Sequence, residues 1–187
     1  MHFFYARIPI AAGSGRRIDD DFGMHRRAQH MTSAAERVAS ALRQAGVDAQ
    51  ILEFPQSTRT ARDAAAAVGT TVAQIVKSLV FLAGGRPVLV LGSGANRVDG
   101  AKLAAAAGVV RVAKADAELV RDVTGFAIGG VPPVGHRSTL PVYLDRDLMA
   151  FDVVYASGGT PNTVFPIAPR ELARLTAATV ADLREDA

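Results

Sequence analysis

Ile75-Val76-Lys77-Ser78-Leu79-Val80-Phe81-Leu82, then Gly84-Gly85, then Pro87-Val88-Leu89-Val90-Leu91, reads as a β-hairpin around which the rest of the chain must be organised. Two apolar runs flank a pair of glycines, and a two-residue hairpin turn needs the positive φ that glycine adopts freely. The second run is apolar enough to be a central strand. Pro87 is expected at its first residue, because proline cannot donate within the ladder. Strand alternation puts the Lys77 ammonium on the same face as Ile75, Leu79 and Phe81. Desolvating an unpaired ammonium costs on the order of several kcal/mol, so Lys77 needs an anionic partner, a path to water or a chemical task. An edge-strand lysine that discourages aggregation is the structural alternative.

Upstream of the hairpin, Ser33-Ala34-Ala35-Glu36 forms a capping box, followed by apolar Val38, Ala39 and Leu42 and stopped by Gly46. Val47 to Phe54 reads as a strand, Thr60 opens a helix from Ala61 to Val68 closed by Gly69, and a short helical turn spans Val72 to Ile75. Downstream, Asp99 caps a helix from Gly100 to Ala107, Val109 to Ala113 returns as a strand, and Asp116 caps a helix through Val123. Leu140 to Leu144, Phe151 to Ala156 and Val164 to Ile167 read as strands, and Pro169 begins a last helix over Arg170 to Leu175. Short helices among hairpin-like strands predict an α/β domain built on a single mixed, largely antiparallel sheet that curls around its core, with helices surrounding it.

The chain has 187 residues and 49% hydrophobic content, enough for one good core over residues 31–187. Residues 1–30 show no periodicity, hold three of the four histidines, and read as an appended extension. Their arginines outnumber their aspartates by two, which leaves the remainder nearly neutral at a net charge of +1. A near-neutral body argues against gripping DNA or long RNA by counterion release, although a basic cleft for a strand end is compatible with it. Aromatic content of 6% without tryptophan argues against stacking platforms for single strands. With no cysteine, thiolate nucleophiles, disulfides and cysteine-based metal sites are excluded, and a reducing cytoplasm is expected. No secretion signal and no run near the ~20 apolar residues of a membrane span is evident, so no membrane association is expected.

His136 is the one histidine after residue 30, which leaves a histidine-based metal site short of ligands; neither metal nor cofactor is expected. Ser78, His136 and Asp145 could form a triad on paper, but no Gly-x-Ser-x-Gly elbow accompanies them. Gly92-Ser93-Gly94-Ala95-Asn96-Arg97 lacks the ending of a phosphate loop and reads as a turn, though Arg97 and Lys102 could hold a phosphate. Gly129-Gly130-Val131-Pro132-Pro133-Val134-Gly135-His136 is richer: the glycines can turn amide N–H groups outward while the prolines stiffen them into an oxyanion receptor. A rigid structural turn explains the same pattern, and the same holds for Gly158-Gly159-Thr160-Pro161-Asn162.

Thr58-Arg59-Thr60 ahead of an alanine-rich helix, Gln74 to Phe81 around Lys77, Asn96-Arg97-Val98-Asp99 with Lys102-Leu103, and Thr124-Gly125-Phe126 through Gly129-Gly130 to Gly135 occur in an order that resembles the YbaK/ProX family. The resemblance covers about Ser33 to Leu183. It implies an aminoacyl-tRNA deacylase, of the kind found freestanding or inserted in bacterial prolyl-tRNA synthetases, that hydrolyses the ester joining a small wrong amino acid such as Ala, Cys or Ser to the 3'-terminal adenosine of a tRNA. tRNA-Pro is the expected carrier and prolyl-tRNA synthetase an expected companion. Lys77 is similar to the family's essential lysine, and Gly129, Gly130 and Pro133 to the loop that shapes its pocket. Thr60, Ser78, Arg97, Lys102, Gly135, His136, Gly159 and Asn162 are the further candidate substrate contacts. Where many family members carry a histidine this chain reads Glu53-Phe54-Pro55-Gln56, which removes that group. A non-catalytic module for an RNA end or nucleotide, docked beside a synthetase, and a purely structural interaction domain are the competing readings.

Overall fold

The computed structural model describes residues 33–186, so the reading of residues 1–30 as an extension lies outside the described residues. The hairpin forms as expected: β2 (Val76–Ala83) pairs antiparallel with β3 (Arg86–Ser93) across Gly84 and Gly85, both at positive φ. Pro87 is the second residue of β3, opposite Leu82. β3 is central, with β2 on one side and β5 (Val142–Asp145) on the other.

The sheet does not continue as one. A five-stranded sheet runs in the order β4 (Val112–Lys114), β2, β3, β5, β8 (Thr179–Ala181). A separate three-stranded sheet has β7 (Thr163–Ile167) between β1 (Leu52–Glu53) and β6 (Val154–Ser157). The expected single curled sheet is therefore two sheets, touching where Ile75 bridges Tyr155 in parallel. The strand pairs are antiparallel except β3 with β5 and β5 with β8, which are parallel.

The helices form where local signals place them. α1 (Ser33–Gln44) buries Ala35, Val38 and Leu42. α2 (Ala61–Val68) starts at Thr60, whose Oγ1 accepts from the Asp63 N–H, and stops at Gly69 in the left-handed region. α3 (Gly100–Ala107) and α4 (Ala117–Thr124) are capped by Asp99 and Asp116 and end at Gly108 and Gly125. α5 (Pro169–Thr176) has proline in its first turn. The expected strand over Val47 to Phe54 shrinks to two paired residues, Leu52 opposite Val164 and Glu53 opposite Thr163.

Both faces of the five-stranded sheet are buried. Val76, Val80, Leu89 and Leu91 join Val38 and Leu42 of α1, Val154 and Phe165 of the small sheet and Leu172 of α5 in the main core. Phe81, Val88 and Val90 turn the other way, onto Leu103 of α3 and Leu183. Burial on both sides explains why β3 is apolar throughout. Among the described residues no helix is long and apolar enough to cross a membrane.

Candidate active site

The gap between the two sheets makes a cavity. On its outer edge β2 pairs with β4 from Phe81 to Ala83, the Val80 carbonyl accepts from the Ala115 N–H, and Ile75, just ahead of β2, bridges Tyr155 of β6, so residues 77–79 have no paired strand there. A cavity of about 460 Å³ opens along that edge, within the range that takes small-molecule ligands. Its walls come from Thr58 to Ala61 ahead of and within α2, Ile75 to Phe81, Lys114 and Ala115, Val120, Ile128, Gly129, Val131, and Tyr155, Ser157 and Thr160.

Lys77 lines this cavity from the face that carries Leu79 and Phe81, as strand alternation requires. Its ammonium donates to the main-chain carbonyl oxygen of Asn96. The Asn96 side-chain amide in turn donates to Asp145 at 2.8 Å and to Asp147 at 2.9 Å. Asp145 is buried and also accepts from the Ser93 N–H at 3.1 Å. Partial burial pushes the Lys77 ammonium below the ordinary lysine value, Asp145 pulls it back up, and the nearby Arg97 and Lys114 cations push it down further. With one of three donors on Asn96, two N–H bonds of Lys77 are left for other acceptors.

Ser78 also lines the cavity, and its hydroxyl oxygen is buried with no hydrogen-bond partner among the described residues. Ser78, His136 and Asp145 do not assemble as a triad: the His136 Nε2 lies 2.7 Å from the Pro132 carbonyl, and Asp145 is engaged with Ser93, Asn96 and Asp147.

The glycine-proline loop divides. Gly129 lines the cavity at φ +88°, with the Arg59 side chain lying across it. Gly130 is buried against the Thr160–Pro161 backbone, and its N–H donates to the Ala127 carbonyl at 3.0 Å. The second half of the loop is away from the cavity lining. Pro133 is buried and Gly135 backs onto the α1 backbone at Arg37. The His136 ring meets Phe126 edge-on, under the Arg37 guanidinium that sits 4.2 Å from the Phe126 centroid. Because a carbonyl can only accept, Nε2 of His136 carries the proton; burial and Arg37 push its pKa down against the pull of that hydrogen bond.

The remaining candidates are distributed. Thr60 lines the cavity while capping α2. Arg97 is exposed outside the lining, and its carbonyl accepts from the Glu185 N–H at 3.0 Å. Lys102 is committed to Asp182 at 3.2 Å and Asp186 at 2.7 Å, on a surface apart from the cavity lining. Gly159 packs on α1 at Ala34. Asn162 braces the site from behind, donating to the Phe54 carbonyl and accepting from the Thr160 hydroxyl at 2.8 Å. The sequence reading did not single out Arg59, Lys114, Ile128, Tyr155 or Thr160 as contacts, though all five line the cavity. Arg59, Ile128 and Thr160 stand within the quoted motifs; Lys114 and Tyr155 come from strands distant in sequence and carry no local signal.

Residues 55–175 match the aminoacyl-tRNA editing domain. The chain is 31% identical over 127 residues to YwhH of Bacillus subtilis, an uncharacterized protein, covering 67% of this chain and 80% of the relative. It is 26% identical over 125 residues to "Putative Cys-tRNA(Pro)/Cys-tRNA(Cys) deacylase EbsC" of Enterococcus faecalis, covering 66% and 76%. A crystal structure described as "a putative trans-editing enzyme for prolyl tRNA synthetase" superposes with a TM-score of 0.79 at 50% identity, over 83% of this chain and 99% of the other.

Proposed function

Because the chain belongs to the aminoacyl-tRNA editing domain family, we propose that it works as a trans-editing hydrolase on tRNA-Pro carrying a small wrong amino acid, Ala, Cys or Ser. The observation that carries this reading is that Lys77 and Ser78 of β2 and Gly129 of the glycine-proline loop face one cavity, although strand and loop are far apart in sequence.

An aminoacyl ester is already activated, so the protein has only to place a water, polarise the carbonyl and stabilise the tetrahedral oxyanion. The terminal adenosine enters past Arg59 and Lys114, the two cationic side chains among the cavity walls besides Lys77. Lys77 holds a substrate phosphate or ribose oxygen with the donors that Asn96 leaves free. Water adds to the carbonyl carbon, the bond to the ribose oxygen breaks, and that oxygen takes up a proton as the free amino acid departs. The ribose hydroxyl beside the ester assists the attacking water. Apolar Val76, Val80, Val120 and Val131 enclose the amino-acid side chain and set the size that fits.

The full chain is to be incubated with a panel of mischarged tRNAs. Release of Ala, Cys or Ser from tRNA-Pro well above spontaneous hydrolysis is the expected result. Binding without turnover across the panel would replace the enzyme with an RNA-end binding module.

A further inference from the structure

We propose that Ser78 is the residue that receives the ester carbonyl oxygen, offering its main-chain N–H and its hydroxyl together across the open edge of β2. The assignment rests on the deacylase reading above and names the group that stabilises its oxyanion.

The strand geometry aims Ser78 at the gap. In a β-strand the N–H and C=O of one residue point to the same edge, and the edge alternates along the chain. The Ile75 carbonyl accepts from the Gly94 N–H, on the β3 side, while the Val80 carbonyl accepts from the Ala115 N–H at 3.1 Å, on the outer side. Even-numbered residues of β2 therefore turn their peptide groups outward, and Ser78 does so where the outer edge has no partner strand.

The side chain adds a second, independent observation. The Ser78 hydroxyl oxygen is buried and has no hydrogen-bond partner among the described residues, yet the residue lines the cavity. A buried hydroxyl left unpaired is unfavourable, and such groups are rare in folded proteins without a ligand or water to complete them. An ester carbonyl laid against the β2 edge, as a short added strand would be, supplies the missing acceptor.

The glycine-proline loop competes poorly for this task. The Gly130 N–H is already spent on the Ala127 carbonyl, and the segment from Pro133 to His136 is outside the cavity lining. As water adds to the carbonyl carbon, the π electrons move onto the oxygen, which then accepts from both Ser78 donors. Collapse returns them to the carbonyl and expels the ribose oxygen.

The test compares wild type, Ser78→Ala and Ser78→Thr by kcat and KM on mischarged tRNA and by melting temperature. Ser78→Ala is expected to lower kcat about ten- to a hundredfold with KM within about twofold, since removing an oxyanion donor acts on the transition state. Its melting temperature is expected to stay level or rise, because an unpaired buried hydroxyl is gone; Ser78→Thr keeps the hydroxyl and most of the rate. Wild-type kcat in Ser78→Ala, or a fall in kcat matched by a fall in melting temperature, overturns the assignment alone. A wild-type chain without deacylation overturns the deacylase reading and this assignment with it.

Discussion

The ammonium of Lys77 rests on the main-chain carbonyl oxygen of Asn96, so the cation that lines the cavity is held from outside it. Asn96 is fixed by the carboxylates of Asp145 and Asp147, which gives the lysine a set position instead of the freedom of a four-carbon chain.

Lys77→Ala is therefore expected to reduce deacylation by about a hundredfold or more, the scale on which loss of one preorganised charge-stabilising group acts. Lys77→Arg keeps the charge but replaces a compact ammonium with a planar fork that does not fit the Asn96 seat, and its rate is expected between the two. Initial rates on a mischarged tRNA that wild type hydrolyses measure both. Near-normal turnover by the alanine variant would remove Lys77 from the mechanism.

How far this site was legible depends on the range of the signal. Thr60, Asp99 and Asp116 were readable as caps because an N-cap acts within three residues, and Lys77 was readable as facing Leu79 and Phe81 because strand alternation is local. The split into two sheets was not, since it depends on β6 packing beside β2 without pairing to it, the isolated Ile75–Tyr155 bridge apart. A lysine such as Lys102 could hold a phosphate as far as local sequence goes, and it is the fold that pairs it with Asp182 and Asp186. Thr179–Ala181 escaped notice because three residues of an edge strand carry no period of their own.

The ionisation of Lys77 gives a prediction in pH. Its ammonium is held below the ordinary value of 10.5, chiefly by burial, with Arg97 and Lys114 adding to the shift and Asp145 opposing it. If protonated Lys77 is the active form, deacylation corrected for spontaneous hydrolysis falls as pH rises through a value under 10.5. Lys114→Gln removes a repelling cation and moves that fall to higher pH; Asp145→Asn removes an attraction and moves it lower. The folded state binds this proton less tightly than the unfolded chain, so the charge costs stability at neutral pH and the cost is relieved between the folded value and 10.5. Lys77→Met is thus expected to melt at a higher temperature than wild type at pH 7, measured by thermal unfolding.

His136 makes an opposite kind of test, on stability instead of turnover. Burial chiefly, with Arg37, holds its imidazole below 6.5. The unfolded chain takes up the proton first, so stability is full above about pH 6.5 and declines as pH falls from there toward the folded value. Melting curves of His136→Gln at pH 7.5 and pH 5 are expected to show a smaller loss than wild type. A tenfold rise in KM for the tRNA would instead make His136 a substrate contact.

Gly159 separates steric fit from backbone freedom. At φ +102° a Cβ there would lie 2.9 Å from the Ala34 carbonyl oxygen, whereas at Gly46, φ +71°, it would meet nothing within 4 Å. Gly46→Ala bears only the conformational cost of a left-handed residue, about 1–2 kcal/mol. Gly159→Ala adds a clash with α1 and is expected to lose about 1–3 kcal/mol more, read from denaturant unfolding of the two variants side by side.

Ile128 tests how the adenosine end is seated. It lines the cavity yet is 57% exposed, at the opposite extreme from Val120 and Val131, which line the same cavity and are buried. A large aliphatic side chain left in solvent at a cavity mouth contributes to binding only when a ligand covers it, and a flat adenine supplies such a cover. Ile128→Ser is expected to raise KM for mischarged tRNA about three- to tenfold while leaving kcat and the melting temperature unchanged, because the contact is made equally in the ground and transition states. A variant that loses kcat with KM intact would place Ile128 against the reacting ester, and one that melts early would make it part of the core.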